Sequence, residues 1–218
     1  GVVRLVTTEW TGDPEDALRH RLYTLGAEQD APELDVLGVL GNDPASRIGK
    51  PNEDLYGVRF MGDRAYLVTF ERIDPLYVID LSDPREPAIL GELEVPGFSD
   101  LLHEVSDALL LGLGSSARRH PKVELYNVSD VASPSSLGVT ELGSELDWAY
   151  SPAQYNRYAF TYLAGDTVDR FTVPYSGGGV EDGVCCTQVD RIALFKISDK
   201  RSPAEAAVIA AGEATLTP

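Results

Sequence analysis

Four short runs rich in β-branched and aromatic residues, Leu55–Met61, Ala65–Phe70, Leu76–Leu81 and Ile89–Val95, fall within the stretch Asp54–Val95. Turn-forming segments separate them at Gly62-Asp63, Arg72–Pro75 and Ser82–Pro87. This pattern predicts a four-stranded antiparallel meander. Four strands in about forty residues, recurring along a chain, mark a propeller blade, so the predicted fold class is all-β, a β-propeller.

The recurrence shows when third strands are aligned. The phrase LYVIDLSDPREPAILGEL begins at Leu76, VELYNVSDVASPSSLGVT at Val123 and IALFKISDKRSPAEAAVI at Ile192, with a weaker copy, LYTLGAEQDAPELDVLGV, at Leu22. The first two intervals suit one blade each, whereas the third needs an insertion. The blades predicted are a partial one over 2–49, then 50–98, 99–145 and 146–218, the last with a Gly/Cys insert at 165–188. Each Ser-Asp pair (Ser82-Asp83, Ser129-Asp130, Ser198-Asp199) is followed by a proline (Pro87, Pro134, Pro203), as turn chemistry requires. These acids are therefore read as turn formers and not as a repeated catalytic or metal motif.

In the first unit the expected strands are Val2–Thr8, Arg21–Leu25 and Leu34–Leu40, without the innermost strand that Leu55–Met61 supplies to the second. Asp13-Pro14 breaks the first strand from the next, and Gly41–Pro51 reads as a mobile link. The third unit gives Asp100–Ser106, Ala108–Leu113, Lys122–Val128 and Leu137–Leu142. Its run LLLGLG is apolar on both faces, as a sandwiched strand is. The fourth opens with Trp148–Gln154 and Tyr158–Leu163 as strands. Residues Gly165–Gln188 then read as an excursion or a loop over one face, with Phe171–Pro174 as an extra strand. Ala204–Ala210 is expected as an outer strand, in competition with a helix favoured by its alanines. After it, AGEATLTP has little β character, and the chain is expected to be a fragment of a larger propeller with open edges through which it self-associates.

Thirty-five acidic against eighteen basic residues leave a net charge of −17, which disfavours nucleic-acid partners by repulsion of phosphate. No apolar run approaches the length that crosses a bilayer, so membrane insertion is not expected. No EF-hand loop or zinc-type cysteine spacing occurs, and no metal or cofactor is predicted. The adjacent Cys185 and Cys186 leave three arrangements open: a vicinal disulfide, two free thiols, or a bridge to a cysteine elsewhere.

The phrases VRFMGDRAYLVTF, DPLYVIDLSDPREPAILGELEVPGFSDLLH, LLLGLG and AYSPAQYNRYAF resemble secreted bacterial and archaeal proteins that carry a C-terminal β-propeller domain distantly related to WD-type repeats. The resemblance implies a propeller and a secreted or cell-surface location. It supplies no catalytic residues.

Three residues are candidates for lining a ligand channel: Arg59, a charge in an otherwise apolar strand that is expected first to pair with a carboxylate of a neighbouring blade and otherwise to line the channel, His103 in an inner strand, and Trp148. Alternation places Leu55, Gly57, Arg59 and Met61 on one face of their strand and Tyr56, Val58 and Phe60 on the other. His20 and His120 are expected in loops. No serine-nucleophile elbow is present. Two function classes follow: a non-catalytic extracellular module that binds a protein or glycan partner, or a hydrolase acting on carbohydrate or peptide in the propeller funnel.

Overall fold

The computed structural model describes residues 1–26, 33–70, 74–95, 97–181 and 184–216, leaving aside the side chains of 74, 95, 180, 181 and 184–187. It divides into two compact units, Gly1–Val95 with Val131–Ser133, and Pro96–Asp130 with Pro134–Pro218. Every sheet in both is antiparallel, and no α-helix occurs among the described residues.

The first unit holds two sheets. One is the three-stranded meander β1 (Val2–Trp10), β2 (Leu18–Gly26) and β3 (Asp35–Leu40); the other is β4 (Asp54–Met61), β5 (Arg64–Phe70), β6 (Asp74–Asp80) and β7 (Ala88–Val95), in that order. The expected strands are present to within a few residues, although the turn placed at Arg72–Pro75 lies partly outside the described residues. Leu22, Leu40, Ile48, Ala65, Leu67, Tyr77, Ile79 and Leu81 form its core. A β-bulge at Tyr56 corrects the predicted facing of β4. Leu55 pairs with Thr69 and Gly57 with Val68, so one extra residue shifts the phase of the pleat. Leu55 accordingly joins Phe60 against the core, while Gly57, Arg59 and Met61 share the opposite face.

The Gly41–Pro51 segment is fastened and is not the mobile link expected. Ile48 is buried and bridges to His20, and the carboxylate of buried Glu53 accepts from Thr69 Oγ1 at 2.6 Å and from the Lys50 amide at 2.8 Å. His20 stands in β2, not in a loop, because its buried ring closes this arrangement: Nε2 meets the Glu53 carbonyl at 2.8 Å and Nδ1 meets Thr8 Oγ1 at 2.9 Å. Nearby, Arg47 hydrogen-bonds Asp16 and holds its carboxyl down at about 2.

The second unit contains the meander β8 (Phe98–Ser106), β9 (Leu109–Ser115), β10 (Pro121–Asn127) and β11 (Ser135–Glu141). Beside it in sequence is a five-stranded sheet of β12 (Trp148–Tyr150), β13 (Thr161–Leu163), β14 (Asp169–Glu181), β15 (Val184–Ser198) and β16 (Ala207–Leu216). Leu111, Leu113, Val123, Leu125, Phe171, Val173, Phe195 and Ile197 are prominent in the core they share.

This sheet departs from expectation in four places. The strand predicted over Trp148–Gln154 stops at Tyr150, because Ser151 caps a 3-10 turn at Pro152–Gln154. That over Tyr158–Leu163 begins at Thr161, after a second 3-10 turn capped by Asn156. The 165–188 insert is largely a long hairpin of β14 and β15, with Gly177–Gly179 paired in the ladder. Glycine is required there by close approach, since a Cβ on Gly177 would lie 2.6 Å from the Trp148 carbonyl oxygen. Finally, β16 is a strand as preferred, but it continues to Leu216 by pairing with β15, which overrides the weak β character of its last residues.

The Ser-Asp turns are built from local hydrogen bonds. Asp80 Oδ1 accepts from the Ser82 amide at 2.9 Å and Asp83 Oδ1 from the Arg85 amide at 2.8 Å. In the third copy Asn127 takes the place of Asp80. The fourth has Lys196 there, and Asp199 itself adopts a left-handed φ of 56°.

Candidate functional site

Asp100 is the extra residue of a bulge in β8, where Ser99 pairs with Gly114 and Leu101 with Leu113. A bulge re-aims its side chain out of the normal alternation. Here the carboxyl lies near the side chain of Gln154, the last residue of the Pro152–Gln154 turn. Burial raises the Asp100 pKa to about 6, against the lowering effect of the neighbouring Gln154 amide. Its Oδ2 is buried and makes no hydrogen bond to the described residues.

Gln154 is held from two sides. Its Oε1 accepts from the Ser151 amide at 2.9 Å and its Nε2 donates to Ser115 Oγ, at the end of β9, at 2.6 Å. Ser151 Oγ accepts from the Ala153 amide at 3.2 Å and donates to the Pro174 carbonyl at 2.6 Å, which completes a capping box and ties the turn to β14. The residues that follow point outward: Tyr155 is 84% exposed and Tyr158 81%. Asn156 Oδ1 accepts from the Tyr158 amide at 3.1 Å, and the Arg157 guanidinium lies 5.2 Å from the Tyr158 ring centroid. The same turn borders a cleft of about 340 Å³ walled by Pro152, Pro174, Tyr175 and Leu216, with Ser176, Asp190 and Arg191 as its polar groups. Burial and the Glu213 hydrogen bond raise the Tyr175 hydroxyl to about 12.

The three sequence candidates are distributed. Arg59 is half-buried on β4 of the first unit, opposite Tyr66. His103, on β8 of the second, lies with its ring 4.1 Å from that of Tyr162 and 5.3 Å from that of Phe160. Trp148 opens β12, half-exposed, its ring parallel to Tyr150 at 6.1 Å; the intervening Ala149 is buried. Trp148 and Tyr150 therefore share the solvent-facing side of β12. The side chains of Cys185 and Cys186 lie outside the described residues. Gln154 carried a signal in the sequence, the S-x-x-Q spacing of a capping box, whereas Asp100 in the mixed strand FSDLLHEVS carried none.

Known proteins agree with this architecture. A family model described as a beta propeller domain matches residues 1–217. The chain belongs to the β-propeller domain family. An uncharacterized protein of Methanocaldococcus jannaschii is 36% identical over 163 residues, covering 74% of this chain and 24% of the relative. An uncharacterized protein of Archaeoglobus fulgidus is 36% identical over 130 residues, covering 52% of this chain and 21% of the relative. The propeller chain thus spans about a quarter or less of the length of these relatives. No helix among its described residues is long and apolar enough to cross a membrane.

Two other polar clusters of the propeller differ in character from the Asp100 site. On β10, Lys122 Nζ donates to Glu124 Oε2 at 2.8 Å, Tyr126 OH to the same oxygen at 3.1 Å, and Ser136 Oγ to Oε1 at 2.6 Å, with Lys122 and Glu124 fully buried. Gly112, paired with Glu124, leaves the space: a Cβ there would meet Ser99 Oγ at 2.6 Å and the Tyr126 ring at 2.9 Å. Asp169, also buried, accepts from Tyr162 OH at 2.5 Å and from Lys200 Nζ and the Gly165 amide at 2.7 Å. Burial would raise the Asp169 pKa, but these donors outweigh it and the net shift is downward. Both clusters satisfy their carboxylates internally, as structural ion pairs do.

Proposed function

We propose that this propeller is a non-catalytic binding module, exported from the cell, whose contact surface is the 148–158 segment and the cleft beside it. The observation that carries the reading is the contrast across one short turn. Gln154 and Ser151 lock it from beneath, while Tyr155 and Tyr158, more than four-fifths exposed, stand outward beside Arg157. Rigid exposed aromatic and arginine side chains are what binding hot spots use, because little side-chain entropy is lost on contact. The charge of −17 supports an exported, salt-exposed setting, where it serves solubility, and it disfavours nucleic acid. A protein or glycan fits the surface, and kinship with WD-type repeats accords with the four-stranded meanders. A glycan array and an affinity capture from the native cell surface, run with full-length protein and with Tyr155→Ala/Tyr158→Ala, test it. Binding by the parent and loss in the variant with an unchanged melting temperature is the expected result.

The second reading, a hydrolase of carbohydrate or peptide, draws on Asp100, whose raised pKa suits a general acid. Glycoside hydrolysis uses a second carboxyl group, and the side chain that meets Asp100 is the amide of Gln154. Turnover of a glycoside or peptide substrate by the parent and none by Asp100→Asn would favour this reading over the first.

A further inference from the structure

The turn after β10 carries a motif that the binding surface does not use. Asn127-Val128-Ser129 has the N-x-S form of an acceptor for asparagine-linked glycosylation, whereas Asn42, Asn52 and Asn156 have Pro44, Asp54 and Tyr158 two positions on in place of serine or threonine. Asn127 is half-buried at the strand's end, and Ser129 and Asp130 are exposed. Asn127 Oδ1 accepts from the Ser129 amide at 3.0 Å and from Ser129 Oγ at 2.6 Å. Both bonds use the carbonyl end of the side-chain amide. Its Nδ2 makes no hydrogen bond to the described residues and is not fully buried, so it keeps some access to solvent.

The turn itself does not call for asparagine. In the preceding copy of the repeat Asp80 performs the same task, its Oδ1 accepting from the Ser82 amide at 2.9 Å. What Asn127 adds to that arrangement is a nitrogen, and Ser129 fixes the amide so that this nitrogen faces away from the turn. We infer that Asn127 is an N-glycosylation site. The donor is an oligosaccharide carried on a lipid phosphate. Asn127 Nδ2 bonds to the anomeric carbon as the carbon–oxygen bond to phosphate breaks; the phosphate leaves with the electron pair, and one amide proton passes to a base of the transferase. A surface glycan adds bulk and solubility. The inference rests on the exported reading, because such transfer occurs on the outer side of the membrane.

The test is glycopeptide mass spectrometry on full-length protein from its native cells, combined with cell fractionation. Parent protein recovered outside the membrane is expected to carry a hexose-containing mass increment on the Asn127 peptide. Asn127→Asp and Ser129→Ala should abolish it, and Ser129→Thr should keep it. Asn127→Asp retains the turn, so its melting temperature should match that of enzymatically or chemically deglycosylated parent. A bare Asn127 on exported protein overturns the site while leaving the exported reading intact. A bare Asn127 on protein confined to the cytoplasm overturns the exported reading and the site with it.

Discussion

Glu124 and Asp100 lie two strands apart in one sheet and meet burial in opposite ways. Glu124 is fully buried and surrounded by donors from Lys122, Tyr126 and Ser136. Asp100 is only partly buried, yet its Oδ2 has no donor among the described residues and its pKa climbs to about 6. Alternation explains the first case: Lys122, Glu124 and Tyr126 fall on one face of β10, where each can reach the next, and Ser136 reaches Glu124 from β11 beside a bulge at Leu137. A bulge marks the second, since Asp100 is its extra residue and stands outside the normal alternation. Glu124, with donors on both oxygens, is thus committed to structure, whereas Asp100 is left available.

The strongest way to break this contrast is to remove the partner of Glu124. Lys122→Met should lower stability by about 3–5 kcal/mol, because an uncompensated charge then remains buried. Lys122→Met/Glu124→Leu should recover much of that loss, and chemical denaturation of all variants measures the coupling. A single variant as stable as the parent would show that Glu124 does not depend on Lys122.

What could be read in advance follows the same division. The strands Leu55–Met61 through Ile89–Val95 were legible because turn residues and apolar runs alternate without interruption, and each pairs with its sequence neighbour. The bulge at Tyr56 was not, since one extra residue leaves composition unchanged while reversing the facing of Leu55. Gly177–Gly179 suggested a loop because glycine disfavours strands; only the close approach of the Trp148 backbone explains the strand. At the candidate site Trp148 was visible as an aromatic at a strand start. Asp100 and Gln154 became a pair through the bulge and the capped turn, neither of which a period-two pattern records.

Asp100 provides the next sharpest test, through pH. Its folded pKa of about 6 stands above the ordinary 3.8, so its contribution to stability is fully present below about pH 4 and is lost as pH rises through 6. Solvent screening reduces the cost of ionisation to about 1–2 kcal/mol. Asp100→Asn should therefore match the parent near pH 4 and exceed it by that amount near pH 7. Parallel melting curves across this range would show that Asp100 is as well accommodated as Glu124.

A smaller effect is expected at the turns. Asp83→Ala removes the acceptor for the Arg85 amide and should cost about 1 kcal/mol, within the range of lost capping bonds. Partner binding by the folded protein should be unchanged. Loss of binding without a change in melting temperature would move Asp83 from the structural class to the functional one.

The smallest expected change in stability belongs to the tyrosines, and it separates surface from scaffold most cleanly. Tyr155 and Tyr158 bury little area against the rest of the chain, so each alanine replacement should alter unfolding free energy by no more than about 0.5 kcal/mol. Gln154→Ala supplies the complementary measurement. It leaves both rings intact but removes the bonds to Ser115 and Ser151 that fix the turn, and should cost about 1 kcal/mol or more. If the segment binds through preorganised rings, all three substitutions weaken partner binding, the tyrosines without a stability change and Gln154 with one. Should Gln154→Ala bind as the parent does while losing stability, the locked turn would be irrelevant to recognition. Should only Gln154→Ala impair binding, the contact would lie at the Asp100 side of the turn and not on its exposed rings.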